Sequence, residues 1–248
     1  MKIYVSTCKR RKTVQKKHKW ESSKIIYFIF AGITFIELVA AVISVIFAET
    51  SAIRDASISN IFLSILALIL FSIPSVLEKK FKFDIPNYLE IIVMSFLFAA
   101  IVMGNIHGLL VNVIGYDKIL HTVSGITISI IAFEVVHMYN QYRKSAIRLT
   151  PMFVAIFAFT FSITLLVLWE FYEFAVDTIA FQFDSETARN MQRYQWINQS
   201  DTFPQDYGLY DTMMDLVVGA IGATIVSITG GSILHHKEKG HKMEATRE

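Results

Sequence analysis

Cysteine, proline and charged residues are all scarce in this chain. Its 248 residues include one cysteine, Cys8, and four prolines, and only 18% of them are charged. A soluble domain carries about 25% charged residues, so the low charge argues against a soluble protein. A single cysteine excludes an internal disulfide. The sequence also contains neither a cysteine-based nor a two-histidine zinc motif.

Long apolar runs are what the chain has in excess. Hydrophobic residues make up 54% of the sequence, and the mean hydropathy is +0.48. A helix of about 20 apolar residues crosses the ~30 Å hydrocarbon core of a bilayer. The pattern therefore predicts an all-α integral membrane protein, a bundle of about six transmembrane helices. The predicted spans are Ile25–Ala48, Ile61–Leu77, Tyr88–Leu110, Lys118–His137, Met152–Ile179 and Asp211–Leu234.

The distribution of Lys and Arg predicts how these spans are oriented. Nine of the 23 basic residues lie in residues 1–24, and placing both termini in the cytoplasm puts 19 inside and 4 outside. This bias is the positive-inside signal of membrane proteins. We therefore expect a plasma-membrane protein with a basic cytoplasmic segment (1–24), a six-helix membrane domain (25–234) and a cytoplasmic tail (235–248). The longest outer loop is 180–210, in which Ser185–Gln199 is predicted to form a short helix.

Three short acidic segments lie at the outer ends of spans four, five and six. Together they hold six carboxylates and one imidazole. Ionisable groups at membrane depth are costly and mark functional sites. The segments are Asp117–His121, Trp169–Asp177 and Asp211–Asp215.

Helix geometry predicts that these segments form one layer. Residues four apart share a helix face, so Asp117 lies beside His121 and Asp211 beside Asp215. Glu170 lies about 27 Å along span five, which brings it level with His121 and Asp215. Glu173 and Asp177 follow Glu170 within a narrow arc of the same helix. Small residues continue the faces below, as in many membrane helix contacts: they are Ser124, Gly125, Gly219, Gly222 and Ala223.

Six neighbouring carboxylates in a partly dry site need compensation. Some hold protons, or Lys118, Arg189 and Arg193 pair with them, or a divalent cation binds. A carboxylate-rich site with one imidazole suits Mg²⁺, Mn²⁺, Ca²⁺ or Zn²⁺, and the spacing does not select among them. The candidate metal ligands are Asp117, His121, Glu170, Glu173, Asp211 and Asp215. The candidate catalytic residues are Glu170, Glu173, His121 and Asp215.

Several polar residues have a second interpretation. Asp117 and Asp211 each stand at a predicted helix start, where an aspartate caps the helix and complements its dipole. Asp177, at the predicted end of span five, is then simply solvated. Glu37, in the middle of span one, is either a proton-binding residue or an interhelical hydrogen-bond partner. His107, near the outer end of span three, is a further candidate for the site.

In their order along the chain, the three acidic segments resemble a known family. The pattern is Asp-Lys-x-x-His at Asp117–His121, Trp-Glu-x-x-Glu at Trp169–Glu173, and Asp-Thr-x-x-Asp with Gly-Ala-x-Gly-Ala at Asp211–Ala223. This set resembles the bacterial multi-pass proteins called YjdF-like. More remotely it is similar to VanZ-like proteins, named for a link to glycopeptide tolerance. The resemblance implies a membrane protein without a settled activity. VanZ-like members carry Glu-x-x-Gln and Asp-x-x-x-Asn, so the extra acids here favour cation binding.

The first functional hypothesis is a divalent-cation-dependent activity on a lipid or envelope precursor. Glu170, Glu173 and Asp215 are then ligands or acid/base groups, and His121 is a ligand or a proton shuttle. Whether the protein is an enzyme stays open, because the sequence names no substrate.

Two other functions stay open. A proton-coupled transporter would use a thin polar path through Glu37, Ser124, Thr127 and Glu134. A non-catalytic membrane scaffold or resistance factor would use the acids only to hold helices together. In every case the expected partners are the lipid bilayer and, at the basic segment 1–24, anionic lipid head groups. Nucleic acid is not expected, and no protein partner is indicated.

Overall fold

The described part of the chain is almost entirely helical. The structure is a computed structural model that describes residues 2–81, 85–142, 149–183, 191–192 and 206–245, and no strand occurs in these ranges. The α-helices are α1 (Lys2–Ile46), α2 (Ser51–Phe81), α3 (Asn87–Leu97), α4 (Leu109–Asn112), α5 (Tyr116–Tyr142), α6 (Pro151–Phe183) and α7 (Tyr207–Ala245), with a π-helical segment at Phe98–Ile106.

Six helical stretches are long and apolar enough to cross a membrane, which confirms the predicted all-helical architecture. They are Ser22–Ile46, Ser51–Lys80, Asn87–Ile106, Tyr116–Tyr139, Pro151–Gln182 and Tyr207–Gly240. The second is longer than the predicted span because Thr50 caps α2 ahead of its apolar run. The Thr50 hydroxyl accepts the Ile53 N–H at 3.3 Å, one of the helix-start donors that otherwise lack a partner.

Two of the wrongly predicted helix boundaries change where an aspartate lies, namely the start of α7 and the end of α6. Helix α7 begins at Tyr207, so Asp211 lies in its second turn and does not cap it. Helix α6 continues to Phe183, so Asp177 lies inside a helix and is 8% exposed. Apolar periodicity marks the lipid-facing stretch, whereas the helices extend beyond it with polar and aromatic residues.

The third span also departs from a regular α-helix. At Phe98 the chain passes into π-helical turns, and the His107 N–H donates to the Val102 carbonyl at 2.9 Å, five residues back. The span ends there, because Gly108 adopts φ 71°, a backbone conformation that favours glycine. The predicted span, Tyr88–Leu110, therefore ends too late.

The described chain divides into two compact units, one running to Leu109 and the other starting at Leu110. In the first unit, α1, α2, α3 and the π-helical segment pack around a small apolar core. The rings of Phe30 and Phe98 stack with their centroids 4.4 Å apart. The core residues are Ala67, Phe71, Met94, Ile101 and Val102.

In the second unit, α5, α6 and α7 each contact the other two. Glycines bring α5 and α7 together: a Cβ atom at Gly125 would collide with the Gly219 carbonyl, and one at Gly222 with the Thr122 carbonyl. At Gly219 a Cβ would also meet Leu166 Cδ1 of α6 at 2.7 Å. The small residues on these faces therefore line helix contacts, as their spacing predicts.

Replacing Gly222 with alanine should destabilise the protein, because the new methyl group faces a backbone carbonyl that cannot move alone. Overpacking of this kind costs roughly 1–3 kcal/mol. Gly32 of α1 is the matched control, since a Cβ there meets nothing within 4 Å. Thermal unfolding in detergent should show a lowered midpoint for Gly222→Ala and an unchanged midpoint for Gly32→Ala. Equal midpoints for the two variants would contradict the close approach of α5 and α7.

Candidate functional site

The ionisable residues of the second unit converge where α5 and α7 begin, opposite the later part of α6. We call this group the acid site; it consists of Asp117, Lys118, His121, Glu170, Glu173, Asp177, Asp211 and Asp215. Its members are deeply buried for charged residues: Asp211 and Asp215 are 1% exposed and Glu170 is 4% exposed. The structure thus brings all six predicted metal-ligand residues into one region.

Lys118 joins the two helices that start at the acid site. Its Nζ donates to Asp215 Oδ2 at 2.7 Å, to Asp117 Oδ2 at 3.1 Å, and to Asp211 Oδ1. The Lys118 side chain is only 13% exposed, so solvent screens these contacts weakly. Charge-assisted hydrogen bonds of this kind are about twice as strong as neutral ones. One cation therefore holds three carboxylates from α5 and α7.

His121 faces the oxygens of Asp117 and Asp215 that do not contact Lys118. Its Nε2 lies 3.6 Å from Asp117 Oδ1 and 3.7 Å from Asp215 Oδ1, whereas Lys118 holds the Oδ2 of both residues. Each of these two aspartates thus offers one oxygen to the ammonium and the other to the imidazole. This division orients Asp117 and Asp215 toward a common point beside Nε2.

The other ring nitrogen of His121 faces α6. Its Nδ1 lies 3.8 Å from Glu170 Oε1. One turn further along α6, Glu173 Oε1 accepts a hydrogen bond from Trp169 Nε1 at 2.7 Å. The imidazole therefore stands between two sets of carboxylates, one from α5 and α7 and one from α6.

Four buried carboxylate oxygens at the acid site make no hydrogen bond of ordinary geometry to the described residues. They are both oxygens of Glu170, Oδ2 of Asp211 and Oδ1 of Asp215. The Thr212 hydroxyl faces the Glu170 carboxyl without forming such a bond. Buried polar atoms in proteins nearly always have a partner, and an unpaired carboxylate oxygen is among the costliest exceptions.

Two groups of side chains have the spacing of metal ligands. The first is Asp117, His121 and Asp215, and the second is His121, Glu170 and Glu173; within each group the ligand atoms lie within 4.8 Å of one another. Ligand atoms that sit ~2.0–2.6 Å from a shared ion are at most about 4–5 Å apart, so both groups fit an ion. Asp211 belongs to neither group. Its Oδ1 contacts Lys118, and its Oδ2 has no hydrogen-bond partner among the described residues.

A short piece of the long loop closes the acid site on one side. Asp177 accepts the backbone N–H groups of Met191 and Gln192, each at 3.0 Å, through its two oxygens. The Gln192 side-chain amide then donates to the Thr212 hydroxyl at 2.7 Å. Asp177 is thus an anchor for the loop and is not merely solvated. The predicted helix at Ser185–Gln199 lies otherwise outside the described residues.

The opposite side of the acid site is apolar, as predicted. Leu166 is one turn before Glu170 on α6, is 2% exposed and packs against Gly219. Beyond it, the hydroxyl of Ser129 donates to Ser162, which donates to the Gly125 carbonyl, both at 3.0 Å.

Other predicted participants lie elsewhere. His107 Nε2 contacts Glu37 Oε1 at 3.2 Å, so the two isolated polar residues of the first unit pair with each other. Arg189 and Arg193 are outside the described residues. The sequence left three ways to compensate the carboxylates, and pairing with Lys118 was only one of them. The signal for it was the position of Lys118 three residues before His121, at the same predicted depth as Asp211 and Asp215.

Six helices able to cross a membrane, with a polar site buried among three of them, define a multi-pass membrane protein. The chain belongs to the family described as predicted membrane protein (DUF2238), which matches residues 35–236. This agrees with the YjdF-like resemblance, whereas the remote likeness to VanZ-like proteins and a bacterial origin stay predictions. No curated protein and no solved structure matches the chain.

Replacing Lys118 with methionine should strongly destabilise the second unit. It would leave three carboxylates without their shared counter-charge, and breaking a buried ion pair from one side costs about 3–5 kcal/mol. The control is Lys79→Met, at the exposed end of α2, which should change stability by less than about 0.5 kcal/mol. Denaturant unfolding in detergent with a chelator present measures both. A Lys118→Met effect no larger than that of the control would show that the ammonium is not needed.

Replacing Asp177 with alanine should release Met191 and Gln192. Hydrogen bonds to a charged acceptor contribute about 1.5–3 kcal/mol, so amide exchange at these two residues should accelerate tenfold or more. Hydrogen exchange with mass spectrometry measures this directly. Glu173→Gln is the control, because Glu173 accepts a hydrogen bond from Trp169, whereas Met191 and Gln192 donate to Asp177. Unchanged exchange in Asp177→Ala would rule out the anchor.

Proposed function

We propose that the acid site binds a divalent cation, with His121 as the central ligand and carboxylates from α5, α6 and α7 around it. The observation that carries this proposal is the set of four buried carboxylate oxygens without hydrogen bonds, all on residues next to His121 or Lys118. An ion would satisfy oxygens that the described side chains leave unpaired.

The charge balance supports the same conclusion. Six carboxylates face a single ammonium, that of Lys118, among the described residues of the acid site. Moving an unpaired carboxylate from water into a dry interior costs several kcal/mol even after relaxation. A divalent ion offsets two of these charges at once, and it does so without another side chain.

Oxygen ligands and one imidazole favour a hard or borderline ion such as Mg²⁺, Mn²⁺, Ca²⁺ or Zn²⁺. The best-oriented donors are Asp117 Oδ1, Asp215 Oδ1 and His121 Nε2, because Lys118 holds the remaining oxygen of both aspartates. Glu170, beside Nδ1, would then fix the imidazole as carboxylates commonly do for metal-bound histidines.

For the reaction, we infer an activity on a lipid or envelope precursor at the outer face of the plasma membrane. A bound cation polarises a phosphoryl or carbonyl oxygen and activates water. Glu170 and Glu173 would exchange protons with such a substrate, while His121 would stay bound to the ion through Nε2. The positive-inside charge distribution, which puts the starts of α5 and α7 outside, supports the orientation.

A second candidate is a closed scaffold in which Lys118 is itself the internal cation. Its three carboxylate contacts favour this function, since they tie α5 to α7 through a side chain of the protein itself. A proton-coupled transporter is less well supported, because Leu166 and Gly219 form an apolar floor under the acid site and Glu37 pairs with His107.

The experiment is metal analysis of the purified full-length protein and two variants. Wild type should retain about one ion per chain or bind Mn²⁺ in a titration followed by electron paramagnetic resonance. Glu170→Gln should weaken Mn²⁺ binding about 10–100-fold, because Glu170 orients the His121 imidazole or binds the ion itself. The matched control is Glu37→Gln, which changes another carboxylate that contacts a histidine, but in the first unit.

No Mn²⁺ binding by the wild type would reject the cation site and leave the scaffold, whereas equal Mn²⁺ affinity in wild type and Glu170→Gln would reject the role of Glu170 in that site. Envelope composition in cells carrying Glu170→Gln then tests the activity separately. A bound ion with an unchanged envelope would keep the site and reject the proposed substrate class.

A further inference from the structure

A cavity of about 340 Å³ lies between the beginning of α6 and the later part of α7, far from the acid site. Its size falls within the roughly 300–1,000 Å³ of small-molecule sites. Asp215 and His235 are 20 residues apart on α7, which is about 30 Å along the helix. The residues that matter here are Met152, Ser227, Ile228, Gly231, His235 and His236.

Ser227 differs from the other hydroxyls on this part of α7. Thr224, Thr229 and Ser232 each donate to the carbonyl four residues before them, at 2.7–2.8 Å. Ser227 makes no such bond: it is 6% exposed, its Oγ has no hydrogen-bond partner, and it lines the cavity. A buried hydroxyl without a partner loses free energy unless a ligand supplies one.

The rim and walls of the cavity have opposite chemistry. His235 and His236 are exposed, and each imidazole carries an N–H donor even when neutral. Lys237 and Lys239 follow on the same helix. The walls are apolar, with Met152 of α6 74% exposed beside Ile228 of α7. A Cβ atom added at Gly231 would lie 2.9 Å from the Cβ of Ala155, so the glycine leaves room for Ala155.

From this arrangement we propose that the cavity binds one phospholipid with an anionic head group. The phosphate would lie against His235 and His236, an acyl chain would follow Met152 and Ile228, and the Ser227 hydroxyl would donate to an ester carbonyl. Helical side chains lean toward the N-terminus, so the imidazoles reach back toward Ser227. Basic pockets between membrane helices bind anionic head groups in this way, and the apolar walls exclude a free phosphate as the better ligand.

The test is lipid binding to the full-length protein, measured by native mass spectrometry with phosphatidylglycerol and phosphatidylcholine. The wild type should retain phosphatidylglycerol in preference to phosphatidylcholine. Ser227→Ala should weaken its binding several-fold, since one hydrogen bond contributes about 1 kcal/mol. Ser232→Ala is the matched control, because Ser232 lines the same cavity but already donates to the Ile228 carbonyl. This control should bind as wild type does.

A second variant tests the head group. His235→Ala with His236→Ala should abolish the preference for phosphatidylglycerol, whereas Lys237→Gln with Lys239→Gln should retain most of it. Equal binding of the two lipids by wild type, or equal effects of Ser227→Ala and Ser232→Ala, would overturn the proposal. The proposal would also be overturned if the lysine variant lost as much of the preference for phosphatidylglycerol as the histidine variant. The positive charge of the tail alone would then account for binding. An unchanged elution volume and unfolding midpoint confirm that each variant is folded.

Discussion

The contact between the Lys118 ammonium and three aspartates is the interaction on which the second unit depends. Two of those aspartates, on α7, are 1% exposed, so an ionised carboxylate at either position needs a cation beside it. A buried carboxylate that loses its partner destabilises far more than a surface pair ever stabilises. The ammonium therefore ties the start of α5 to the start of α7, and it leaves one oxygen of each of the three aspartates pointing elsewhere.

Close helix contact and charge act together in this arrangement. Gly125, Gly219 and Gly222 bring α5 and α7 so near that no side chain fits between them at that level. At such a distance, a lysine from one helix reaches carboxylates on the other without stretching into solvent. Helix α6 adds Glu170 to the side of His121 that α7 does not reach. The imidazole thus becomes the point that all three helices share.

Much of this could be predicted from the sequence, and the remainder could not for identifiable reasons. Apolar run length predicts six helices, and i,i+4 spacing predicts that Asp117 shares a face with His121. Run length does not predict where α6 ends and where α7 begins, because their polar extensions resemble loop sequence. The expectations for Asp177 and Asp211 are wrong for this reason. The π-helical turns at Phe98–Ile106 leave no periodicity signal. The Lys118 clamp depends on helix separation, which spacing within a single helix does not encode.

The distribution of satisfied and unsatisfied polar groups bears on what the second unit does. Between its two ends, Ser129 and Ser162 use their donors on each other and on the Gly125 carbonyl, and Leu166 separates them from the acid site. Among the described residues of that middle region only the buried Thr127 hydroxyl lacks a partner, and one hydroxyl does not make a polar path. Unmet hydrogen-bonding capacity is instead concentrated at Glu170, Asp211 and Asp215 at one end, with Ser227 twelve residues, about 18 Å, beyond Asp215 along α7. This distribution agrees with the proposed cation site at that end, whereas a conducting path would need polar groups along the whole length of the three helices.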